Sequence, residues 1–154
     1  MMDLVPAQSH DDLLAARQLF MEYADWLGVD LCFQGFQQEL DGLPGDYAPP
    51  DGQLLLAVED DQAVGCAAMR KLGDGICEMK RLYVRPGHRS KGLGRKLVEA
   101  IIQEARGTGY EKMRLDSLTS LKEAAGLYRS LGFTEIPPYR YNPLPDAVFM
   151  DLGL

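Results

Sequence analysis

The spacing of apolar and polar positions changes several times along the chain, and each change predicts a new element. A short strand-like run from Leu4 to Ala7 precedes a helical pattern from about Asp11 to Leu27, for which Ser9 is a suitable N-cap. A shorter helical pattern covers Phe33 to Leu40 and ends at Gly42. The first third of the chain is therefore predicted to hold one strand and two helices.

Three strand-like runs follow, "QLLLAVE", "AVGCAAMRK" and "GICEMKRLYV", and the short turns between them predict an antiparallel meander. From Gly92 the apolar positions recur at helical spacing until "GTG". A strand "KMRLDSL", a helix near Leu121 to Leu131, and strands around Phe133 to Ile136 and Ala147 to Leu152 complete the order. This order predicts an α/β fold over residues 1–154 as one domain. Its mixed sheet would be mostly antiparallel, with one parallel crossover and helices on both faces.

Composition narrows the range of partners. A formal net charge of −7 over 154 residues disfavours general binding to nucleic acid or to an anionic membrane surface. Seven cations nevertheless lie between Lys80 and Lys96, enough for a local anion site. Cys32, Cys66 and Cys77 have no CxxC spacing, and the cysteines and two histidines have no metal-ligand spacing. We expect reduced cysteines, no metal, and a cytoplasmic protein, because no signal peptide or membrane-spanning run is recognised.

The stretch "RSKGLGRKL", Arg89 to Leu97, carries the strongest chemical signal. Gly92 and Gly94 leave the backbone open to a ligand, and the helix that follows begins with unpaired amides and a positive dipole end. These features suit a phosphate or pyrophosphate. The P-loop pattern is absent, and Leu97 stands where a dinucleotide fingerprint needs a small residue, so both of those folds fit poorly.

A third kind of phosphate site fits better. "VRPGHRSKGLGRKL" resembles the acetyl-CoA signature of the GNAT N-acetyltransferase superfamily, Arg/Gln-x-x-Gly-x-Gly/Ala after a strand that ends in a Val-x-Pro turn. "AAGLYRSLGF", Ala124 to Phe133, looks like its second conserved block. These motifs lie between about Glu78 and Phe133, while the predicted element order matches nearly the whole chain.

The resemblance implies acetyl-CoA as cosubstrate and assigns residues to its binding. Backbone amides around the glycines would hold the pyrophosphate, and the end of the preceding strand would pair with the pantetheine; the implied residues are Leu82, Tyr83, Val84, Arg89, Ser90, Lys91, Gly92, Leu93, Gly94 and Arg95. The alternatives are a simple turn for the glycines and a solvated surface for each cation.

The resemblance also implies two catalytic side chains, Glu78 and Tyr128. Acetyl transfer needs a neutral amine, so Glu78 is the candidate general base, with a pKa expected to rise on burial. Tyr128 would donate a proton or a hydrogen bond to the departing sulfur, and Cys77 would only pack in the strand. The alternatives are an ion pair of Glu78 with Lys80 or Arg81, an electrostatic anchor for a cationic substrate, and a core role for Tyr128.

The expected reaction is direct transfer of acetyl to a primary amine of a small molecule or peptide, and the other class is a non-catalytic acetyl-CoA sensor. Aromatic residues near Trp26 and in "PPYRYNPLPD" are candidate acceptor contacts, where Arg140 could clamp a carboxylate. Many relatives place an asparagine in "RLDSLTS", where this chain offers Ser117, Thr119 and Ser120, the last also a possible helix cap. The terminal strands could support a homodimer.

Overall fold

The computed structural model describes residues 2–31, 35–89 and 91–154. In chain order its elements are β1 (Met2–Pro6), α1 (His10–Leu27), α2 (Phe36–Asp41), β2 (Gln53–Glu59), β3 (Gln62–Gly73), β4 (Ile76–Val84), α3 (Leu93–Thr108), β5 (Lys112–Leu118), α4 (Lys122–Ser130), β6 (Thr134–Ile136) and β7 (Ala147–Gly153). Single 3-10 turns lie at Gly45–Tyr47 and Pro86–His88. The predicted order of strands and helices is confirmed.

The seven strands form one sheet in the order β1-β2-β3-β4-β5-β7-β6. Strands β2, β3 and β4 form the predicted antiparallel meander. The pair β4 and β5 is parallel, as a crossover through α3 requires, and every other pair is antiparallel. The mixed sheet expected from the sequence is therefore the one observed.

Helices pack on both faces of this sheet and bury two apolar clusters. On one face α3 and α4 cover a cluster that includes Leu97, Ile101 and Tyr128. On the other face α1 and α2 cover a cluster that includes Phe20, Leu40 and Tyr83. Consecutive residues of β2 from Leu54 to Ala57 enter opposite clusters in turn, as the twofold period of a strand demands. The described cysteines, Cys66 and Cys77, are free thiols buried in these clusters, while Cys32 lies outside the described residues.

Helix starts agree with the sequence in one case and differ in another. Ser9 caps α1 in a reciprocal capping box with Asp12, as its position predicts. The predicted start of the second helix at Phe33 lies outside the described residues. Ser120 does not cap α4: its hydroxyl donates instead to Oδ2 of Asp146, 2.9 Å away. The expected Ser120 cap is therefore wrong, because the N-cap residue of α4 is Leu121 and the Ser120 hydroxyl lies against Asp146 instead of the first helix amides.

A bulge in β4 determines the shape of the sheet centre. Arg81 has a left-handed backbone, φ 62°, and the register between β3 and β4 shifts beside it. Strand β5 pairs with β4 only from Ile76 to Glu78, and beyond that point no ladder joins the two strands within the described residues. A side chain rarely adopts this backbone without compensation. Two bonds from the Arg81 guanidinium to Glu39, at 2.8 and 2.9 Å, help to hold it.

Within residues 2–31, 35–89 and 91–154, no helix is both long and apolar enough to cross a membrane. In the same ranges, no group of three His, Cys, Asp or Glu side chains could hold a metal ion. The sheet ends in β1 on one side and β6 on the other. Whether these terminal strands pair across a homodimer stays a prediction.

Candidate active site

The separation of β4 from β5 opens a cleft at the sheet centre. Side chains and backbone from both strands line this splay cleft, with residues of α1 and α4 closing its sides; they include Tyr23, Trp26, Lys80, Leu82, Asp116, Ser117 and Tyr128. The opening exists because the Arg81 bulge turns β4 away from its neighbour. It leaves the edge of β4 after Glu78 free for a ligand.

A larger pocket of about 230 Å³ continues from the splay cleft along the end of β4 and is called here the cofactor pocket. It is lined by Trp26, Leu82, Tyr83, Val84, Arg89, Gly92, Leu93, Gly94, Glu123, Ala124 and Leu127. Seven of the ten residues that the sequence assigned to acetyl-CoA binding are in this lining. The strand end, the glycine loop and the start of α3 are therefore brought together as expected.

The glycine loop presents an uncapped helix end to this pocket. Gly92 is the N-cap residue of α3 and has φ 77°, a left-handed value that glycine tolerates without cost. Among the described residues no side chain caps the first amides of α3, so these donors are available for an anion. The pocket is therefore open to an anion at this end, where Gly92 carries no Cβ.

Replacing Gly92 with Ala is expected to lower the free energy of unfolding by about 1 kcal/mol, because alanine pays the left-handed penalty. An added Cβ meets no atom within 4 Å, so no clash contributes to the loss. Urea unfolding measures the change. The matched control is Gly107→Ala inside α3, where the Cβ also meets open space and helix propensity should raise stability by about 0.5 kcal/mol. Equal effects at both positions would contradict this explanation.

The cations of the loop divide between the pocket and the surface. Arg89 stacks on Trp26, 4.5 Å from the ring centroid, and its Nε donates to the carbonyl of Val84 at 2.8 Å. Lys91 lies 3.5 Å from a carboxylate oxygen of Glu59, and Arg95 donates to the Ser130 hydroxyl at 2.6 Å. Ser90 lies outside the described residues. Arg89 is therefore the charged loop side chain in the pocket lining, and the cofactor contacts of Arg89, Ser90, Lys91 and Arg95 all stay predictions.

Two further members of the predicted basic cluster serve the fold. The Arg81 guanidinium is buried against Glu39, and that of Arg85 binds both oxygens of Glu22 on α1 at 2.8 and 2.9 Å. Each cation is neutralised by a carboxylate more than forty residues away in the chain. Because Arg81 and Arg85 are paired with carboxylates, fewer of the seven cations between Lys80 and Lys96 remain for an anion site than the sequence suggests.

Tyr128 lies in the splay cleft, on the side formed by α4. Its side chain is almost fully buried and its ring packs against Phe133 with centroids 5.6 Å apart. Burial raises the pKa of the phenol well above its ordinary value, and nearby Tyr23 and Asp116 raise it further. The hydroxyl therefore keeps its proton at any working pH and can act only as a donor before the reaction.

Glu78 is completely buried and its carboxylate is fully engaged. Oε1 accepts from Arg70 Nε at 2.9 Å, and Oε2 accepts from the Tyr139 hydroxyl and contacts the Arg140 guanidinium. Burial alone would raise its pKa, but Lys80, Tyr139, Arg140 and Arg70 outweigh burial and lower it. The expected rise in the pKa of Glu78 is therefore wrong. Its assignment as general base stays a prediction.

A second charged pair lies closer to the opening. Lys80 on β4 and Asp116 on β5 extend toward each other, with Nζ 4.0 Å from Oδ1. Their side chains are 3% and 6% exposed. Both line the splay cleft, and both also line an adjoining leucine-rich pocket whose apolar walls are Leu27, Val29, Leu31, Leu118, Leu121 and Leu144. Glu78 is in neither lining, whereas both linings contain the charged residues Lys80, Asp116 and Arg81, and Arg81 is already paired with Glu39.

The sequence and the fold match known proteins. Residues 15–133 match the model of the acetyltransferase (GNAT) family. The chain belongs to the GNAT family. An uncharacterized N-acetyltransferase of Schizosaccharomyces pombe is 44% identical over 145 residues, which cover 93% of this chain and 89% of that protein.

Solved structures agree on the GNAT fold. A GNAT-family acetyltransferase from Staphylococcus aureus superposes with a TM-score of 0.83 at 18% identity, covering 99% of each chain. An N-acetyltransferase from Thermoplasma acidophilum, solved in complex with coenzyme A, gives a TM-score of 0.77 at 17% identity and covers 100% of this chain and 99% of that one. This chain is therefore a GNAT N-acetyltransferase, and acetyl-CoA is the cosubstrate typical of its family.

Several residues of this GNAT site escaped the sequence interpretation. The sequence interpretation groups Lys80 with the cations of the loop. In the β5 region it selects the hydroxyls of Ser117, Thr119 and Ser120 and not the carboxylate of Asp116. Residues two positions apart in a strand lie on the same face. Glu78 and Lys80 therefore share a face of β4, and Arg114 and Asp116 share a face of β5, and this spacing is the sequence signal for a charged group of residues. Arg140 contacts Glu78 and is not among the residues that line the leucine-rich pocket, and its role as a clamp for a carboxylate of the acceptor stays a prediction.

Proposed function

We propose that this GNAT enzyme transfers acetyl from acetyl-CoA directly to a primary amine of a small molecule or peptide. The observation that carries the proposal is the continuity of three spaces. The cofactor pocket shares Trp26, Leu82 and Ala124 with the splay cleft, and the cleft shares Tyr23, Lys80 and Asp116 with the leucine-rich pocket. A thioester held from one end and an amine entering from the other would meet beside Tyr128.

The chain's own groups account for cofactor binding in this proposal. Amides at the start of α3 and the Arg89 guanidinium hold the pyrophosphate, with Ser90, Lys91 and Arg95 as further contacts. The edge of β4 from Leu82 to Val84, which β5 leaves unpaired, pairs with the amides of the pantetheine arm as an added strand, and the Val84 carbonyl there also accepts from Arg89. Acetyl-CoA supplies an activated acetyl group, and the protein orients it in the splay cleft.

Two protein groups stabilise charge during transfer. The amide of Val84 is proposed to donate to the carbonyl oxygen as negative charge develops there. Tyr128 is proposed to pass its proton, or donate a hydrogen bond, to the sulfur as the carbon–sulfur bond breaks, and burial keeps the phenol protonated until that stage. Glu78 is proposed to assist removal of the amine proton without touching the amine, since Lys80 and Asp116, not Glu78, line the cleft.

The leucine-rich pocket supports an acceptor whose amine is carried on an apolar stem. Its apolar walls are mostly leucines, while the polar part of its lining consists of Tyr23, Lys80, Arg81, Asp116, Ser117 and Asn142. An ammonium group gains from a carboxylate there, and an aliphatic stem gains from burial against the leucines. A second charge placed among these leucines would lose its hydration without a partner.

Thiol release from acetyl-CoA, measured across amino acids, polyamines, aminoglycosides, aminoterminal peptides and simple alkylamines, tests the function. We expect turnover for amines on apolar stems and weaker turnover for polyamines. Trp26, the single tryptophan, lies in the cofactor pocket, so its fluorescence reports acetyl-CoA binding independently of turnover. Saturable binding without turnover of any amine would instead support the sensor class, and absence of binding would overturn the proposal.

A further inference from the structure

Lys80 is an unusual lysine because it is buried and yet reaches a reactive cleft. Its side chain is 3% exposed, and its Nζ lies 4.0 Å from both Glu78 Oε1 and Asp116 Oδ1. These distances exceed hydrogen-bond length, so neither carboxylate grips the nitrogen directly. A buried amine that lies between two carboxylates without a hydrogen bond to either can exchange a proton with a ligand.

The charges around Lys80 determine its protonation. Burial lowers its pKa most, Glu78 and Asp116 raise it, and Arg81 and Arg140 lower it, with a net result of about 8. Tyr23 from α1 and Tyr128 from α4 line the same cleft. The titratable groups that face Lys80 from the packed elements are thus Glu78 and Arg81 on β4, Asp116 on β5, Arg140 on the 137–146 segment, Tyr23 and Tyr128.

We infer that Lys80, in its neutral form, accepts the proton of the attacking amine, while Glu78 and Asp116 act as positioning residues for it. The inference rests on the proposed transfer to a primary amine. A bond forms between the amine nitrogen and the acetyl carbon as the carbon–sulfur bond breaks. One proton passes from that nitrogen to Nζ of Lys80, and another passes from Tyr128 to the sulfur. The Lys80 ammonium then reprotonates the Tyr128 phenolate, directly or through solvent, so both groups are restored.

This role suits the geometry better than a direct role for Glu78. A general base must reach the amine, and Lys80 lines both the splay cleft and the leucine-rich pocket whereas Glu78 lines neither. A base also works best when its pKa lies near the working pH, and that of Glu78 is lowered by its four partners. The negative charges of Glu78 and Asp116 instead raise the pKa of Lys80, so that its amine is protonated at low pH and neutral only at higher pH.

The test compares kcat at saturating substrates for Lys80→Arg, Lys80→Met and the wild type. Both substitutions remove a group that can gain a proton, so kcat should fall about 10²- to 10⁴-fold, with acetyl-CoA affinity by Trp26 fluorescence unchanged. The matched control is Lys112→Arg, a lysine on β5 that is 43% exposed and paired with Asp151; its kcat should stay at the wild-type value. Thermal unfolding verifies that each variant is folded.

The pH profile gives a second readout that leaves Lys80 in place. Activity should rise with pH through about 8, because Lys80 must lose its proton first. Asp116→Asn and Glu78→Gln remove negative charges that favour the ammonium form. Each should therefore move the acid limb of kcat to lower pH by about one unit or more. The same amine is used throughout, so its own ionisation cancels in the ratio of variant to wild type.

Four outcomes would overturn the inference. A Lys80→Arg enzyme within about threefold of wild type, or an acid limb unmoved in Asp116→Asn, would overturn it alone while the proposed function stands. Loss of all activity at every pH in Glu78→Gln, with Lys80→Arg active, would return the base role to Glu78. A wild-type protein that binds acetyl-CoA and acetylates no amine would overturn the inference and the proposed function together.

Discussion

Tyr128→Phe is expected to lower kcat about 10²- to 10³-fold while leaving the affinity for acetyl-CoA unchanged. Phenylalanine keeps the ring packed against Phe133, so only the hydroxyl is lost. That hydroxyl is required when the sulfur becomes negatively charged, a stage that binding does not reach. Because burial keeps the phenol protonated, the loss should be the same at every pH between about 6 and 9.

Thiol release measures the rate, and Trp26 fluorescence measures binding. The matched control is Tyr110→Phe, whose hydroxyl donates to the carbonyl of Asp51 at 2.6 Å and does not line the cleft. It should cost about 1 kcal/mol of stability and no activity. A Tyr128→Phe enzyme with nearly full kcat would show that this tyrosine is a core residue and would leave the proton donor unassigned.

Arg81→Met is expected to lower the free energy of unfolding by about 3 to 5 kcal/mol. Its guanidinium is 3% exposed, and Glu39, at 14% exposed, would keep its charge without a partner. The arginine also lies over the Phe36 ring at 5.1 Å. The loss of stability should therefore exceed that caused by breaking any surface ion pair. Because Arg81 forms the bulge in β4, the substitution should also change the shape of the splay cleft.

Urea unfolding of single and double variants separates these contributions. Replacing Glu39 with Gln alongside Arg81→Met removes the orphaned charge and should recover about half of the lost stability. Arg17→Met is the matched control, because Arg17 is 40% exposed and lies 3.8 Å from an exposed Asp41; it should cost less than about 1 kcal/mol. An equal loss for Arg17→Met and Arg81→Met would contradict the importance of burial.

The element order and the glycine loop could be predicted from the sequence because both depend on local interactions. The helix that begins after Gly92 is specified by its apolar period and by a glycine that tolerates φ 77°. The meander of β2, β3 and β4 follows from short turns that leave adjacent strands no other pairing. Seven of the ten residues assigned to acetyl-CoA line one pocket for the same reason, since they come from one short stretch of the chain, and their contacts with the cofactor stay predictions.

The state of Glu78 could not be predicted, because its partners come from distant parts of the chain. Tyr139 lies 61 residues away and its hydroxyl donates to Oε2, and Arg140 follows it on the same segment. Sequence reasoning assumed burial without these donors and so expected a raised pKa. The partners of the loop cations could not be predicted for the same reason, since Arg85 pairs with the carboxylate of Glu22, 63 residues earlier in the chain.

The sequence by itself determined which elements form, in what order, and where a pyrophosphate would meet a helix end. Local backbone preferences and the period of apolar side chains are sufficient for these features. Only the tertiary structure decided which charges are neutralised and which face the cleft. The bulge at Arg81 separates β4 from β5 and leaves Lys80 and Asp116 buried at the opening. The protonation of these side chains depends on burial and on charged neighbours from separate strands and loops, which no local sequence pattern predicts.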